Sequence, residues 1–228
     1  MEPIIEWFIN KQLPVTIFYT HESKYAKILL DNPNIEIGIH PDFSRNTDAH
    51  KCVQTLKRIY PNAVGSRSHR NIDGRIVTDA LRKSNILYHV NKLTWGLSHL
   101  EVLPMYNGLV EAPYFWEDGY HLELGIKPEV DALNLKSKGL KIFNIHPMLF
   151  YLNCDNDDQR KKATYRIKDL TTTHIDELSM HVNNDKGIGT FTKQLFLKMK
   201  SRGYKFLCLN QMMSEAHESN IKRERYKW

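Results

Sequence analysis

The sequence predicts an α/β fold built on a mainly parallel sheet. Short runs rich in β-branched and aromatic residues alternate with stretches of helical periodicity. The connections between them are short, which is typical of parallel strands that are joined through helices. The 228 residues, 41% of them hydrophobic, can form one sizeable core. Because no linker rich in glycine or serine divides the chain, we expect one domain over residues 1–228.

Six segments are predicted to be strands, because a turn or breaker residue precedes each and their composition favours β structure. They are residues 15–19, 35–39, 63–64, 86–90, 140–145 and 204–209. Helices are predicted at the N-terminus, after the capping residues Asp48 and Asp73, and in a segment that ends at Gly203. Residues 104–135 are predicted to form a long functional loop.

Composition excludes several classes of protein. The net charge is +6, and half of it falls in the basic tail, residues 221–228, which we interpret as a solvated terminus and not as a nucleic-acid surface. No apolar run approaches the roughly 18 residues of a membrane span. The three cysteines are far apart and form no CxxC pair, and the N-terminal segment lacks a basic signal-peptide region. These features predict a cytoplasmic protein.

Titratable side chains follow the predicted strands, where the ligand site of a parallel α/β fold lies. Four histidines lie within three residues of a predicted strand end: His21, His40, His69 and His146. His40 or His146 alone could simply cap a strand, but the four histidines together favour an enzyme. Arg67, between two serines, is well placed to fix a carboxylate or a sugar oxygen.

The stretch from Tyr114 to His121 combines aromatic residues with Glu117 and Asp118. Two interpretations stay open. The aromatic side chains could pack over the mouth of a barrel as a lid. Alternatively, they could stack on a sugar ring while one of the two carboxylates accepts hydrogen bonds from its hydroxyls.

Four segments resemble the polysaccharide deacetylases (NodB-like, carbohydrate esterase family four), and most closely their divergent branch linked to surface-polysaccharide (O-antigen or capsule) biosynthesis. These are Pro14-Val-Thr-Ile-Phe-Tyr19, Glu36-Ile-Gly-Ile-His40, Gly65-Ser-Arg67 and Asn144-Ile-His146-Pro147. The resemblance runs from about Pro14 to Met212. It implies a distorted (β/α) barrel of about seven strands. It also implies a divalent metal, usually zinc, and the removal of N-acetyl groups from amino sugars.

The resemblance also implies roles for individual residues. His40 matches a metal ligand of the family, and His69 could serve as a substitute ligand. Arg67 matches the arginine that orients the catalytic base. His146 matches the general acid that protonates the departing amine.

Three departures from the family pattern bear on the mechanism. Arg67-Ser-His69 stands where the family has Arg-x-Pro-Tyr, which is why His69 is a candidate substitute ligand. The family's second histidine ligand corresponds to Ser44. The family's first strand, which carries a pair of aspartates, is expected to lie upstream of the helix that opens this chain, so we expect a truncated or rebuilt site. The nearby carboxylates that could replace the pair are Glu22, Glu117 and Asp118.

Three functions are therefore considered. The first is a metal-dependent deacetylase that acts on an N-acetylated saccharide or on its lipid- or nucleotide-linked precursor. The second is a carbohydrate-binding barrel without catalysis, and the third is a basic nucleic-acid-binding protein. An exposed barrel edge would also favour a homo-oligomer.

Overall fold

A computed structural model describes residues 2–45, 48–126, 129–165 and 174–214. The chain divides into two compact units. The first, here called the helical unit, comprises Met1–Trp7, Thr94–His99 and Phe115–Lys205. The second, the sheet unit, comprises Phe8–Leu93, Leu100–Tyr114 and Phe206–Trp228. One domain over residues 1–228 stays a prediction, and the basic tail, residues 221–228, lies outside the described residues.

The sheet unit contains a six-stranded sheet in the order β1-β2-β3-β4-β6-β5. Its strands are β1 (Val15–Tyr19), β2 (Ile35–Ile39), β3 (Gly65–Ser66), β4 (Tyr88–His89), β5 (Leu103–Pro104) and β6 (Val110–Glu111). Neighbours are parallel except β5 and β6, which are antiparallel. This confirms the prediction of an α/β fold dominated by parallel strands. The predictions for β1 and β2 are confirmed residue by residue, whereas β3 lies directly after the predicted residues 63–64 and does not include them.

Two glycines let aromatic side chains lie across neighbouring strands. Gly38 pairs with Phe18, and a Cβ on Gly38 would come 2.5 Å from the Phe18 ring. Gly65 pairs with Tyr88, and a Cβ there would come 2.2 Å from the Tyr88 ring. Any larger side chain would push the strands apart, so these glycines hold the register of β1 to β4.

Helices α1 (Glu2–Asn10), α2 (Lys24–Leu29), α3 (Ala49–Ile59) and α4 (Arg75–Lys83) precede or connect the strands. The predicted cap of α3 is confirmed, since the Asp48 carboxylate accepts a hydrogen bond from the Lys51 N–H at 2.9 Å. The predicted cap of α4 is wrong. Gly74 occupies the N-cap of α4, because the Asp73 carboxylate accepts hydrogen bonds from Lys92 and from the Gly74 N–H instead.

The helical unit contains a pair of parallel strands, β7 (Trp116–Glu117) and β8 (Phe143–Asn144). Its helices are α5 (Asp118–Glu123), α6 (Pro147–Leu152), α7 (Asp157–Thr164), α8 (Ile175–Ser179) and α9 (Ile188–Ser201). Gly203 has a φ of 78°, and the Tyr204 N–H donates to the Met199 carbonyl at 3.2 Å, which closes the last turn of α9. The predicted terminal glycine of this helix is therefore confirmed.

Two expectations about chain organisation are wrong. Residues 204–209 do not form a strand, because the N–H groups of Leu209 and Asn210 donate to the side chains of Thr16 and Glu36, both at 2.9 Å, and not to a neighbouring backbone. Residues 104–135 are not one long loop, since they contain β6, β7 and α5. The closed barrel of about seven strands stays a prediction. In the part of the chain that the structure describes, no helix is both long and apolar enough to cross a bilayer.

Candidate active site

Three of the predicted site residues follow strands of the sheet unit. His40 comes directly after β2, and its N–H donates to the Tyr19 carbonyl at 2.8 Å. Arg67 comes directly after β3, and its N–H donates to the Ile39 carbonyl at 3.0 Å. The N–H of His69 donates to the Pro41 carbonyl at 2.9 Å. These backbone hydrogen bonds extend the pairing of the strands beyond β2 and β3. They hold the loop after β2 and the loop after β3 at the carboxyl ends of the strands.

The imidazoles of His40 and His69 lie side by side. Their ring centroids are 5.7 Å apart, and the rings are nearly perpendicular, at 89°. Two imidazoles that share a zinc ion at about 2.0–2.1 Å would have centroids at a similar separation. The pair therefore fits two positions of a zinc site. Among the described residues, no third histidine, cysteine or carboxylate completes a three-ligand group with them.

Arg67 is a buried cation with 8% of its surface exposed. Its guanidinium lies 4.7 Å from the centroid of the Tyr114 ring, a cation–π contact. The Tyr114 hydroxyl accepts a hydrogen bond from Asn71 at 2.8 Å. Asn71 and its neighbour Arg70 both have left-handed backbones, with φ of 53° and 56°. A strained loop therefore holds the aromatic partner of Arg67 in place.

In the helical unit, the structure brings His146 and Asp118 together. The Asp118 Oδ1 atom lies 2.6 Å from His146 Nδ1, and Asp118 Oδ2 accepts a hydrogen bond from the His146 N–H at 2.7 Å. This contact fits the tautomer in which Nδ1–H donates to the carboxyl group and Nε2 faces outward. The side chain of His146 is 47% exposed, whereas that of Asp118 is 1% exposed. A buried carboxylate thus orients an accessible imidazole, an arrangement typical of acid–base catalysis.

Glu117 belongs to the same cluster. Its Oε2 atom accepts a hydrogen bond from Asn144 Nδ2 at 2.9 Å. A Cβ on Gly119 would lie 3.6 Å from both Glu117 Oε1 and the His146 ring. The predicted residues Glu117, Asp118 and His146 therefore surround Gly119, where a carboxylate and an imidazole can exchange protons with one bound molecule.

The aromatic residues before Glu117 belong to the core. Tyr114 and Phe115 are 0% exposed and Trp116 is 1% exposed. The Trp116 indole donates a hydrogen bond to His121 Nδ1 at 3.1 Å. Burial of such large rings stabilises the fold more than exposure at a rim would. Both interpretations of these three rings, a lid and a sugar-stacking platform, are therefore wrong.

Sequence reasoning missed a second cluster in the sheet unit, formed by Asp73, His89 and Glu111. One ligand atom of each side chain lies within 4.8 Å of the others. His89 Nε2 is 2.8 Å from Glu111 Oε2, and Lys92 Nζ donates to Asp73 Oδ2 at 2.6 Å. The sequence pattern predicts Asp73 as a helix cap and places Glu111 in a loop. The one indication of this cluster in the sequence is His89, a polar residue near the end of an apolar run.

Asp73 and Lys92 each stabilise the charged form of the other. Burial alone would raise the pKa of Asp73, but hydrogen bonds from Lys92 and from the Gly74 N–H outweigh it and hold that pKa below its usual value. The same hydrogen bond raises the pKa of Lys92. Asp73 is therefore an anion at neutral pH.

The family model described as WbmS-like polysaccharide deacetylase matches residues 1–164 of the chain. The chain belongs to this family. The resemblance to polysaccharide deacetylases that the sequence motifs indicated is thus confirmed. None of the curated proteins matches the chain in sequence.

Two solved structures resemble this deacetylase-family chain in fold. One is a proposed polysaccharide deacetylase involved in O-antigen biosynthesis from Bordetella bronchiseptica. It is 19% identical, with a TM-score of 0.74 over 86% of this chain and 84% of that one. The other is a proposed polysaccharide deacetylase from Mycobacterium smegmatis. It is 12% identical, with a TM-score of 0.52 over 93% of this chain and 75% of that one.

Proposed function

We propose that the chain is a metal-dependent hydrolase that removes N-acetyl groups from amino sugars during the assembly of a surface polysaccharide. Its membership of a polysaccharide deacetylase family supports the reaction class. The similar structure from B. bronchiseptica, described as involved in O-antigen biosynthesis, supports the process. The observation that carries the proposal is the 2.6 Å contact between the buried Asp118 carboxylate and the accessible His146 imidazole.

His146 is proposed as the general acid. The nitrogen of a sugar amide is a poor leaving group if it departs with a negative charge. A proton must therefore reach this nitrogen as the C–N bond breaks. With Nδ1–H bound to Asp118, the opposite nitrogen, Nε2, can donate that proton. Asp118 acts as a positioning residue, because its negative charge stabilises the protonated imidazole and fixes its orientation.

Glu117 is proposed as the base that takes a proton from the attacking water. Its carboxylate is oriented by Asn144, and it lies with His146 around Gly119. Arg67, as a buried cation, is proposed to fix a carboxylate or a sugar oxygen.

His40 and His69 are proposed as ligands of the divalent metal, with zinc as the expected ion. Neutral imidazoles suit zinc, and the two rings have the separation that a shared ion requires. A zinc ion bound there would lower the pKa of a water molecule to about 7 and polarise the acetyl carbonyl.

The proposed substrate is an N-acetylated saccharide or its lipid- or nucleotide-linked precursor, and the proposed location is the cytoplasm. The location is supported by the three cysteines Cys52, Cys154 and Cys208, which are all free thiols. The non-catalytic carbohydrate-binding alternative is less favoured, because the three candidate stacking rings are buried.

Acetate release from an N-acetylated amino-sugar oligosaccharide, with zinc present, tests the proposal. We expect His146→Ala to lower kcat about 10²–10⁴-fold. The matched control is His174→Ala, since His174 also lies beside an aspartate, at 3.0 Å from Asp176, but on the exposed surface. Its rate should equal that of the wild type. Binding of the saccharide without any acetate release by the wild-type chain would refute the proposal in favour of the carbohydrate-binding alternative.

A further inference from the structure

The register of the parallel strands places polar residues in one row across the sheet unit. Ser66 pairs with His89, and His89 pairs with Glu111. Registered partners in a parallel sheet direct their side chains to the same face, so these three side chains are neighbours. All three are at least nine-tenths buried, with exposures of 0%, 0% and 3%. Such a row is unusual in the interior of a sheet.

Each member of the row has a buried polar atom without a hydrogen-bond partner in the part of the chain that the structure describes. These atoms are Ser66 Oγ, His89 Nε2 and Glu111 Oε2. The last two approach to 2.8 Å, but not with the geometry of a hydrogen bond. More than nine in ten buried polar groups are satisfied in native proteins. Three such atoms in one row therefore indicate a ligand that they would share.

A fourth group adds a negative charge to the row. Asp73, from the loop before α4, places a carboxylate oxygen within 4.8 Å of the His89 and Glu111 ligand atoms. The Lys92 ammonium is paired with Asp73, so the carboxyl group of Glu111 adds a second oxygen donor to the cluster. An imidazole with two carboxylates is a donor set of intermediate hardness, which suits divalent first-row transition metals.

Other contacts hold these ligands in position. Glu111 Oε1 accepts a hydrogen bond from the Asn91 N–H at 3.0 Å, which leaves Oε2 directed at His89. The Asn91 side chain in turn lies 3.4 Å from His89 Nδ1 and accepts a hydrogen bond from the Ser68 N–H at 3.0 Å. Supporting contacts of this kind orient metal ligands in proteins.

We propose that Asp73, His89 and Glu111 bind a divalent transition-metal cation, at a site formed by different residues from the His40 and His69 pair. The ion joins β4 and β6 to the loop before α4, and it thereby stabilises the loop that carries Arg67. Lys92 competes with the ion for Asp73, since its ammonium occupies one of the carboxylate oxygens.

Equilibrium dialysis against Zn²⁺, read by elemental analysis, tests this inference independently of any enzymatic activity. In a background that carries His40→Ala and His69→Ala, we expect one tightly bound ion per chain. Adding Glu111→Gln, which keeps the Oε1 acceptor for Asn91, should weaken binding at least about 100-fold. Circular dichroism checks that each variant is folded.

Two further variants keep the test decisive if Glu111→Gln fails to fold. Asp73→Asn changes a side chain that is 15% exposed, and it should weaken Zn²⁺ binding. Lys92→Met removes the competing ammonium from a side chain that is 54% exposed, and it should tighten binding about tenfold. The inference is overturned if the His40→Ala/His69→Ala background binds no ion, or if Asp73→Asn binds as tightly as that background. Neither result would affect the deacetylase proposal, which rests on His146.

Discussion

Replacing Asp118 by asparagine tests how the carboxylate holds His146. Asp118 accepts hydrogen bonds at 2.7 Å from the N–H groups of His146 and Gly119, and it contacts His146 Nδ1 at 2.6 Å. Asparagine has the same shape, but one of its terminal atoms is an NH₂ donor. The favoured orientation places that NH₂ at the Oδ2 position, where one donor, the His146 N–H, loses its acceptor, because the opposite orientation would deprive both the Gly119 N–H and His146 Nδ1.

The cost can be worked from these contacts. A buried donor without an acceptor costs about 1–3 kcal/mol. For a chain of this length, each kcal/mol shifts Tm by about 2–4 °C, so Asp118→Asn should lower Tm by about 2–12 °C. It should also lower kcat for deacetylation about 10²–10⁴-fold, because the imidazole loses its charge partner.

Differential scanning calorimetry and the acetate-release assay measure the two effects. The matched control is Asp158→Asn, since the Asp158 side chain is 77% exposed and pairs with Lys161 at 3.4 Å on the surface of the same helix. Its Tm should change by less than about 2 °C. If Asp118→Asn matched this control in both Tm and kcat, the assignment of Asp118 as the positioning residue would be wrong.

The remaining predictions concern the core and the thiols. Trp116→Ala, which removes a 1%-exposed indole, should lower the free energy of unfolding by about 3–5 kcal/mol in urea denaturation. Gly187→Ala should cost about 1–3 kcal/mol, because its Cβ would lie 2.0 Å from the Asn153 carbonyl oxygen. Burial raises the pKa of the Cys154 and Cys208 thiols to about 11, so only about 0.1% of each is thiolate at pH 8. Both should resist a thiol reagent in the native protein until the pH nears 11, and should react at once in denaturant.

Each of these predictions has a clear contrary result. A Trp116→Ala variant that unfolds at the wild-type urea concentration would show that the ring is not part of the core. An undiminished stability of Gly187→Ala would mean that the Asn153 backbone is not in close contact. Rapid labelling of more than one thiol in native protein at pH 8 would show that Cys154 or Cys208 is accessible.

The sequence predicted the strands best where local composition and flanking breakers agreed. Residues 15–19 and 35–39 contain β-branched residues bounded by turn residues, and both are strands. Residues 204–209 also follow a turn residue, Gly203, but they contain no β-branched residue, and the N–H groups of Leu209 and Asn210 bond to the side chains of Thr16 and Glu36, which are distant in sequence. Local composition carries no information about such partners.

The sequence predicted some residues of the candidate site and missed others. His146 with Asp118 and His40 with His69 are close in the structure, as loops that follow strands would favour. The cluster of Asp73, His89 and Glu111 could not be predicted, because it depends on the register of β4 with β6. The aromatic residues before Glu117 were misinterpreted, because an apolar run beside a carboxylate does not distinguish a rim from a core.

The general-acid role of His146 is tested most directly by changing the leaving group. A sugar amine needs a proton to depart, whereas 4-nitrophenolate, the leaving group of an aryl acetate, does not. His146→Ala should therefore lose about 10²–10⁴-fold in kcat/KM on an N-acetylated amino sugar but less than about tenfold on 4-nitrophenyl acetate. Equal losses on the two substrates would contradict the account, since they would show that His146 supports the fold or binding and does not donate the proton.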